Sequence, residues 1–183
     1  MQLIAEKRQP LPAQPGPVAR YDYEYGRNGT ANLFVFCEPP AGWRHVAVTE
    51  RRTMLDFAHQ LKWLVDEQYP EADMIRIGLE QLNTHKPASL YEAFAPEEAR
   101  RIGRKLEFPF TPQHGSWLNM AEIELSVLQR QCLDRRLPDV PTLTYELTAY
   151  EARRNQARAM IDWRFTARDA RITLQRLYPS QST

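Results

Sequence analysis

Two cysteines, Cys37 and Cys132, are the whole crosslinking capacity of this 183-residue chain. Both sit in apolar patterns, so they are expected as reduced core residues and not as a disulfide. Excess charge is equally scarce. Twenty-four basic side chains face 23 acidic ones, a net charge of +1. No global field draws nucleic acid, so any basic surface must be local. No apolar run approaches the roughly 20 residues of a membrane span. Met1 to Lys7 lacks the long apolar core of a signal peptide, so a cytoplasmic location and no membrane partner are expected. His45, His59 and His114 have no Cys or His partner at zinc spacing. A Walker loop and a GxGxxG turn are both missing, which removes the usual nucleotide cofactors. No Ser-His-Asp order, internal repeat or low-complexity segment is visible.

What is present suits one domain with a proper core: 43% of residues are hydrophobic and 26% charged, as in ordinary globular proteins. Gln2 to Ala5 reads as the tail of a strand. Pro10, Pro12, Pro15 and Pro17 make Gln9 to Val18 an extended connector. Tyr21 to Tyr25, Thr30 to Phe36 and Trp43 to Thr49 read as strands. The turns Gly26 to Gly29 and Pro39 to Gly42 would join them into an antiparallel meander. Thr53 then caps a helix, with Asp56 as its capping-box partner. Met54, Phe57, Ala58, Leu61, Leu64 and Val65 recur at helical spacing, and Pro70 ends the run.

Met74 to Leu79 is mostly apolar and reads as a buried central strand. It closes on Glu80 and a polar turn, Gln81 to His85. Ligands of open α/β sheets sit outside the carboxyl ends of the strands, so an acid there can face a metal or a substrate. Ala88 to Phe94 and Pro96 to Leu106 read as helices and Glu107 to Thr111 as a last strand. Ser116 would cap a helix reaching Arg135. With about 100° per residue, Leu118, Ala121, Leu125, Leu128 and Cys132 share one face of that helix. Trp117, Met120, Ile123 and Val127 form a second apolar sector. Asn119, Glu122, Ser126 and Gln129 occupy the remaining polar strip, which faces either solvent or a site. Glu124 projects elsewhere and reads as a paired or exposed acid. Thr142 to Asp162 and Thr166 to Leu177 are the last helices, the second with a cap-like Thr166/Asp169 pair. The order is mixed α/β, consistent with one mixed sheet. Two acids, one at a strand end and one on a helix, are what divalent-metal phosphoryl chemistry requires.

The segments Glu80-Gln81-Leu82-Asn83-Thr84-His85 and Leu118-Asn119-Met120-Ala121-Glu122 carry a resemblance. The chain resembles the DDE transposases of bacterial insertion sequences, in the branch related to mariner elements. Those enzymes have Asp-Asn-x-x-x-His after a central strand and Leu-Asn-x-x-Glu on a later helix. The likeness runs from about Gln2 to Tyr178. It includes Tyr21 to Tyr25, Asn28 to Phe34, Gly42-Trp43-Arg44-His45 and Trp163-Arg164-Phe165-Thr166.

This resemblance implies a ribonuclease H-like fold over residues 1–137, with a helical extension over 138–183. It implies metal-ligand and catalytic roles for Glu80 and Glu122, with Mg²⁺ or Mn²⁺ as cofactor and DNA as partner. Glu80 stands where the family has Asp, and Gln81 where it has Asn. Each adds one methylene, and Mg²⁺ demands near-ideal octahedral geometry. The family's first Asp lies before the segment matching Gln2-Leu3-Ile4, so a truncated chain of weak or absent activity is expected. His85 matches the motif histidine; it could touch a phosphate or hold its turn through Asn83 and Thr84. Lys86, Arg153, Arg154 and Arg158 are candidate phosphate contacts, as are the cluster Arg100, Arg101, Arg104 and Lys105 and the later arginines Arg164, Arg168, Arg171 and Arg176. Intrahelical pairs such as Glu97/Arg101 are the competing reading. The alternatives in function are a non-catalytic remnant that binds DNA weakly or pairs with a full-length transposase, and an unrelated metal nuclease on the same fold; a homodimer is the other partner expectation.

Overall fold

The computed structural model describes residues 1–8, 15, 22–79, 85–109, 120–162, 164 and 166–173. Alternating apolar residues make the early chain extended. β1 (Gln2–Glu6) pairs antiparallel with β2 (Tyr25–Thr30). β3 (Asn32–Glu38) pairs antiparallel with β4 (Trp43–Thr49), Val35 opposite Val46. β5 (Ile75–Arg76) and β6 (Leu106–Glu107) form a short parallel pair. The helices are α1 (Met54–Trp63), α2 (Ser89–Ala93), α3 (Pro96–Arg104), α4 (Met120–Leu128), α5 (Val140–Gln156) and α6 (Ala167–Thr173). α1 and α4 each continue in wider turns, over Leu64–Gln68 and Gln129–Leu133.

Side chains alternate across a strand, and the β3–β4 pair uses both faces. Leu33, Val35, Val46 and Val48 pack with Leu128, Cys132, Leu143, Leu147 and Tyr150. Phe34, Phe36 and Ala47 pack on the opposite face with Phe57, Ala58, Leu61, Leu90, Ala99 and Ile102. The sheets are therefore small and flanked by helices, a mixed α/β arrangement. α5, read from sequence as part of an extension, shares a cluster with Leu3, Ala31 and Val46.

The single mixed sheet expected from sequence is replaced by three two-stranded sheets among the described residues. The expected meander is likewise cut, because β2 pairs with β1 and not with β3. The Gly26 to Gly29 turn lies inside β2: the register slips between Gln2 and Ile4, and Gly29, at φ +90°, accommodates the irregular backbone. Met74 to Leu79 alternates in place of being buried throughout: Ile75, Ile77 and Leu79 are half-buried and Met74, Arg76 and Gly78 are exposed, and among the described residues β5 pairs with β6 alone. The β3–β4 hairpin, the six-residue stripe of α1 and the Thr53 cap follow the sequence reading. Thr53 accepts from the Asp56 N–H at 3.2 Å, and Asp56 accepts from the Thr53 N–H at 2.7 Å. Thr166 and Asp169 repeat this box at the start of α6. The long helix read from Thr142 begins earlier, at Val140. Asp139 caps it by accepting from the Thr142 N–H at 2.8 Å.

One ion pair ties the layers together. Glu124 of α4 and Arg44 of β4 are only 1% and 2% exposed. Arg44 Nε lies 2.8 Å from Glu124 Oε1, an ion pair whose N–H is not aimed along the contact. The Tyr150 hydroxyl donates to the same carboxylate oxygen at 2.7 Å, and Arg154 reaches the other at 3.4 Å. Arg44 also donates to the carbonyls of Gly42, at 3.1 Å, and Ala159, at 2.6 Å. Gly42 sits at φ +67°, and a Cβ there would lie 2.6 Å from the Arg158 carbonyl carbon, so only glycine fits this turn. Burial and the neighbouring carboxylate push the Tyr150 hydroxyl's pKa up. Burial, then Glu124, does the same to the Cys37 thiol. Both cysteines are free thiols.

Removing one member of a buried pair strands the other charge, at a cost of about 3–5 kcal/mol. Glu124→Ala should destabilise the domain by that amount in urea titration. The double substitution Arg44→Met, Glu124→Leu should recover most of the loss, because no orphaned charge remains.

Candidate functional site

α4 carries the helix acid of the sequence motif. Its rotation is set by Glu124, which points into the β3–β4 face. Two residues along a helix turn about 200°, so Glu122 projects from nearly the opposite side and is exposed. Ser126 and Gln129 are exposed with it, as the polar strip predicts. The apolar sectors are less accurate. Leu128 and Cys132 are buried, but Leu125 is 45% exposed and Ile123 is 40% exposed. Glu124 occupies the inward position instead, because Arg44 awaits it there. The available signal was Arg44 itself, which shares strand parity with Val46 and Val48 and so had to enter the apolar face.

Glu80, Gln81, Asn83 and Thr84 lie outside the described residues, as do Leu118 and Asn119. Their readings and the convergence of Glu80 with Glu122 lie outside them too. No group of three or more His, Cys, Asp or Glu poised for a metal occurs among the described residues. Glu122 is nevertheless the right kind of donor. Mg²⁺ is commonly held through one or two carboxylates, with waters and substrate phosphates completing the shell. An exposed carboxylate on a fixed helix meets that requirement in kind.

His85 is half-buried. Its ring stacks on Phe57, with centroids 4.6 Å apart and planes at 24°, and stands 6.0 Å from Phe34. The Nε2 atom is buried without a hydrogen-bond partner among the described residues. Burial, and secondarily Arg52, lowers its pKa. The ring thus belongs to the aromatic wall between α1 and β3. Lys86 beside it is exposed.

The candidate phosphate contacts divide by what already holds them. Arg153 and Arg158 are exposed, the latter at φ +44° just past the end of α5. Arg154 is half-buried and drawn to Glu124, a partner that competes with phosphate. On α3, Arg101 is engaged by Asp66 at 2.8 Å and by Glu98 at 2.7 Å. The intrahelical partner is Glu98, three residues away, and not Glu97. Lys105 donates to the Pro70 carbonyl at 2.7 Å. Arg100 and Arg104 are exposed. Arg164 pairs with Asp162 at 2.6 Å. Among the described residues no helix is long and apolar enough to cross a membrane.

The chain belongs to the DDE superfamily endonucleases, whose family model matches residues 1–144. No curated protein and no solved structure matches it significantly. Members of this superfamily act on DNA and typically use divalent metal ions.

The depressed pKa of His85 gives a pH test. The unfolded histidine, near 6.5, binds a proton more readily than the folded one. Its contribution is therefore complete above about pH 6.5 and is lost as pH falls toward the folded value. The urea midpoint should drop between pH 7.5 and pH 5, and His85→Phe, which keeps the stack, should flatten that drop.

Proposed function

We propose that the chain is the catalytic portion of an insertion-sequence DDE transposase, on a ribonuclease H-like scaffold. Its ancestral reaction is hydrolysis of a DNA phosphodiester, followed by attack of the freed 3′-hydroxyl on a target phosphodiester. The observation that carries this reading is the family match over residues 1–144, with its motif acid Glu122 presented to solvent on α4. Glu122 and Glu80 would hold Mg²⁺ or Mn²⁺. When bound, the ion polarises the phosphoryl group and lowers the pKa of a coordinated water. Lys86, Arg153 and Arg158 neutralise DNA phosphates without reading sequence. Arg154 joins them only by giving up its hold on Glu124. His85 supports the turn that carries Lys86, through its stack on Phe57.

A second reading is favoured by the residue at position 80. The extra methylene of Glu80 displaces a ligand by roughly 1 Å, a shift that can cost on the order of a hundredfold in rate. The modern chain would then be a remnant that binds DNA weakly, dimerises or pairs with a full-length transposase.

Incubation of labelled duplex DNA with the protein and Mg²⁺ or Mn²⁺ separates the two. An active domain gives metal-dependent nicking that Glu122→Gln abolishes. Glu80→Asp should raise that nicking, by up to about a hundredfold if ligand position is the limit. Salt-sensitive DNA binding with no nicking in any of the three proteins would favour the remnant.

A further inference from the structure

The turn end of the β3–β4 hairpin carries an aromatic layer on the face that looks toward α1. Phe36 and His45 are directly opposed across the pair, as are Glu38 and Trp43. Opposed side chains share a face, and alternation puts these four on the face of Phe34 and Ala47. Trp63, the last residue of α1, closes over them. Its ring stacks on His45, with centroids 4.3 Å apart and planes at 29°. It stands 6.1 Å from Phe36 and 6.5 Å from Trp43. Tyr69, just past the wider turns that extend α1, meets Trp43 edge-on at 5.9 Å. The row in space is therefore Tyr69, Trp43, Trp63, His45.

This row is only partly covered. Phe57 and Leu61, deeper in the same layer, are buried, whereas all five rings remain half-buried and show part of their area to solvent. Tryptophan and tyrosine left in that state suit contact surfaces, where one part of the ring is apolar and another wet. A carboxylate stands at each end of the row. The Tyr69 hydroxyl donates to Glu38 at 2.7 Å, and Glu38 is exposed. Burial, then Glu38, pushes the pKa of that hydroxyl up, so the phenol stays neutral and the negative charge stays on Glu38. At the other end Glu151 of α5 lies 3.2 Å from His45 Nδ1 and accepts from the Val46 N–H at 2.5 Å. Each carboxylate offers about four lone-pair sites, more than these bonds take up.

Ring faces that end in carboxylates select a cation. The faces attract it through their quadrupole, and the acids pair with it. A single nucleic acid strand could stack bases on such rings, but stacking sites of that kind follow a positive groove. Here its phosphates would meet Glu38 and Glu151. Guanidinium fits better than ammonium, because it is planar, stacks on aromatic faces and forks onto a carboxylate.

We propose that the row is a docking surface for an arginine-bearing segment of another protein. One guanidinium lies on Trp43 and reaches Glu38, and a second, further along, lies beside Trp63 and reaches Glu151. The surface rests on this face alone and stands whether or not the domain cleaves DNA.

The test uses the full chain and an end-capped peptide, Gly-Arg-Gly-Gly-Arg-Gly, followed by NMR of the tryptophan indole N–H groups. The peptide should shift the Trp43 and Trp63 resonances saturably, with half-saturation at about 1 mM or below. Citrulline in place of both arginines keeps the shape without the charge and should weaken binding at least about tenfold. Lysine in their place should weaken it about threefold. Trp43→Leu should remove the shift at Trp63. Glu38→Gln, an exposed change that leaves Tyr69 its acceptor, should weaken binding by up to about fivefold. Each of five results would overturn the proposal: no saturable shift, equal binding of the citrulline or lysine peptide, binding unaltered by both substitutions, tighter binding of an oligothymidine at the same indoles, or indole shifts that grow with protein concentration alone, which would make a second copy of the chain the occupant.

Discussion

A guanidinium sealed against a carboxylate is the constraint on which the arrangement turns. Burying either charge alone is prohibitive, and burying both roughly breaks even only when the remaining donors and acceptors are satisfied. Arg44 meets most of that condition: Gly42 and Ala159 accept from its terminal N–H groups, while its Nε lies beside Glu124 as an ion pair without a hydrogen bond among the described residues, and Glu124 accepts from Tyr150 and Arg154. The pair specifies position more than it adds stability. It joins β4 to α4, and through Tyr150 and Arg154 to α5. With Glu124 held inward, the motif acid Glu122 has one direction left, outward.

The same α5 that donates Tyr150 also closes an edge. Asn155 and Glu151, four residues apart, present an amide and a carboxylate to the outer backbone of β4 and take the place of a neighbouring strand. This explains why α5 is part of the core.

Much of this was legible in the chain. The Thr53/Asp56 and Thr166/Asp169 boxes are local, and local hydrogen-bonding geometry is fixed within three residues. The stripe of α1 and the β3–β4 alternation are also local, since periodicity reports one neighbour layer. What failed was long-range. Which strand pairs with which depends on contacts between distant segments, so the meander was misread and the described strands pair two by two instead of in one continuous sheet. The inward turn of Glu124 depended on Arg44, some eighty positions earlier. An arginine in phase with valines announces a buried partner, but it does not name one. Of the candidate residues, the exposure of Glu122 was readable from its polar strip, whereas the fate of Arg154 required knowing Glu124.

The central claim is that Glu122, aimed outward by its neighbour's ion pair, shares one cation with the acid at the end of the β5 segment. Paramagnetic broadening by Mn²⁺, read amide by amide in the NMR spectrum, tests it most directly. The account predicts that resonances around Glu122 and around Glu80 broaden together at the same Mn²⁺ concentration, and that Glu122→Gln removes both effects. Broadening at one acid alone, at different concentrations for the two, or unchanged by the substitution would contradict it.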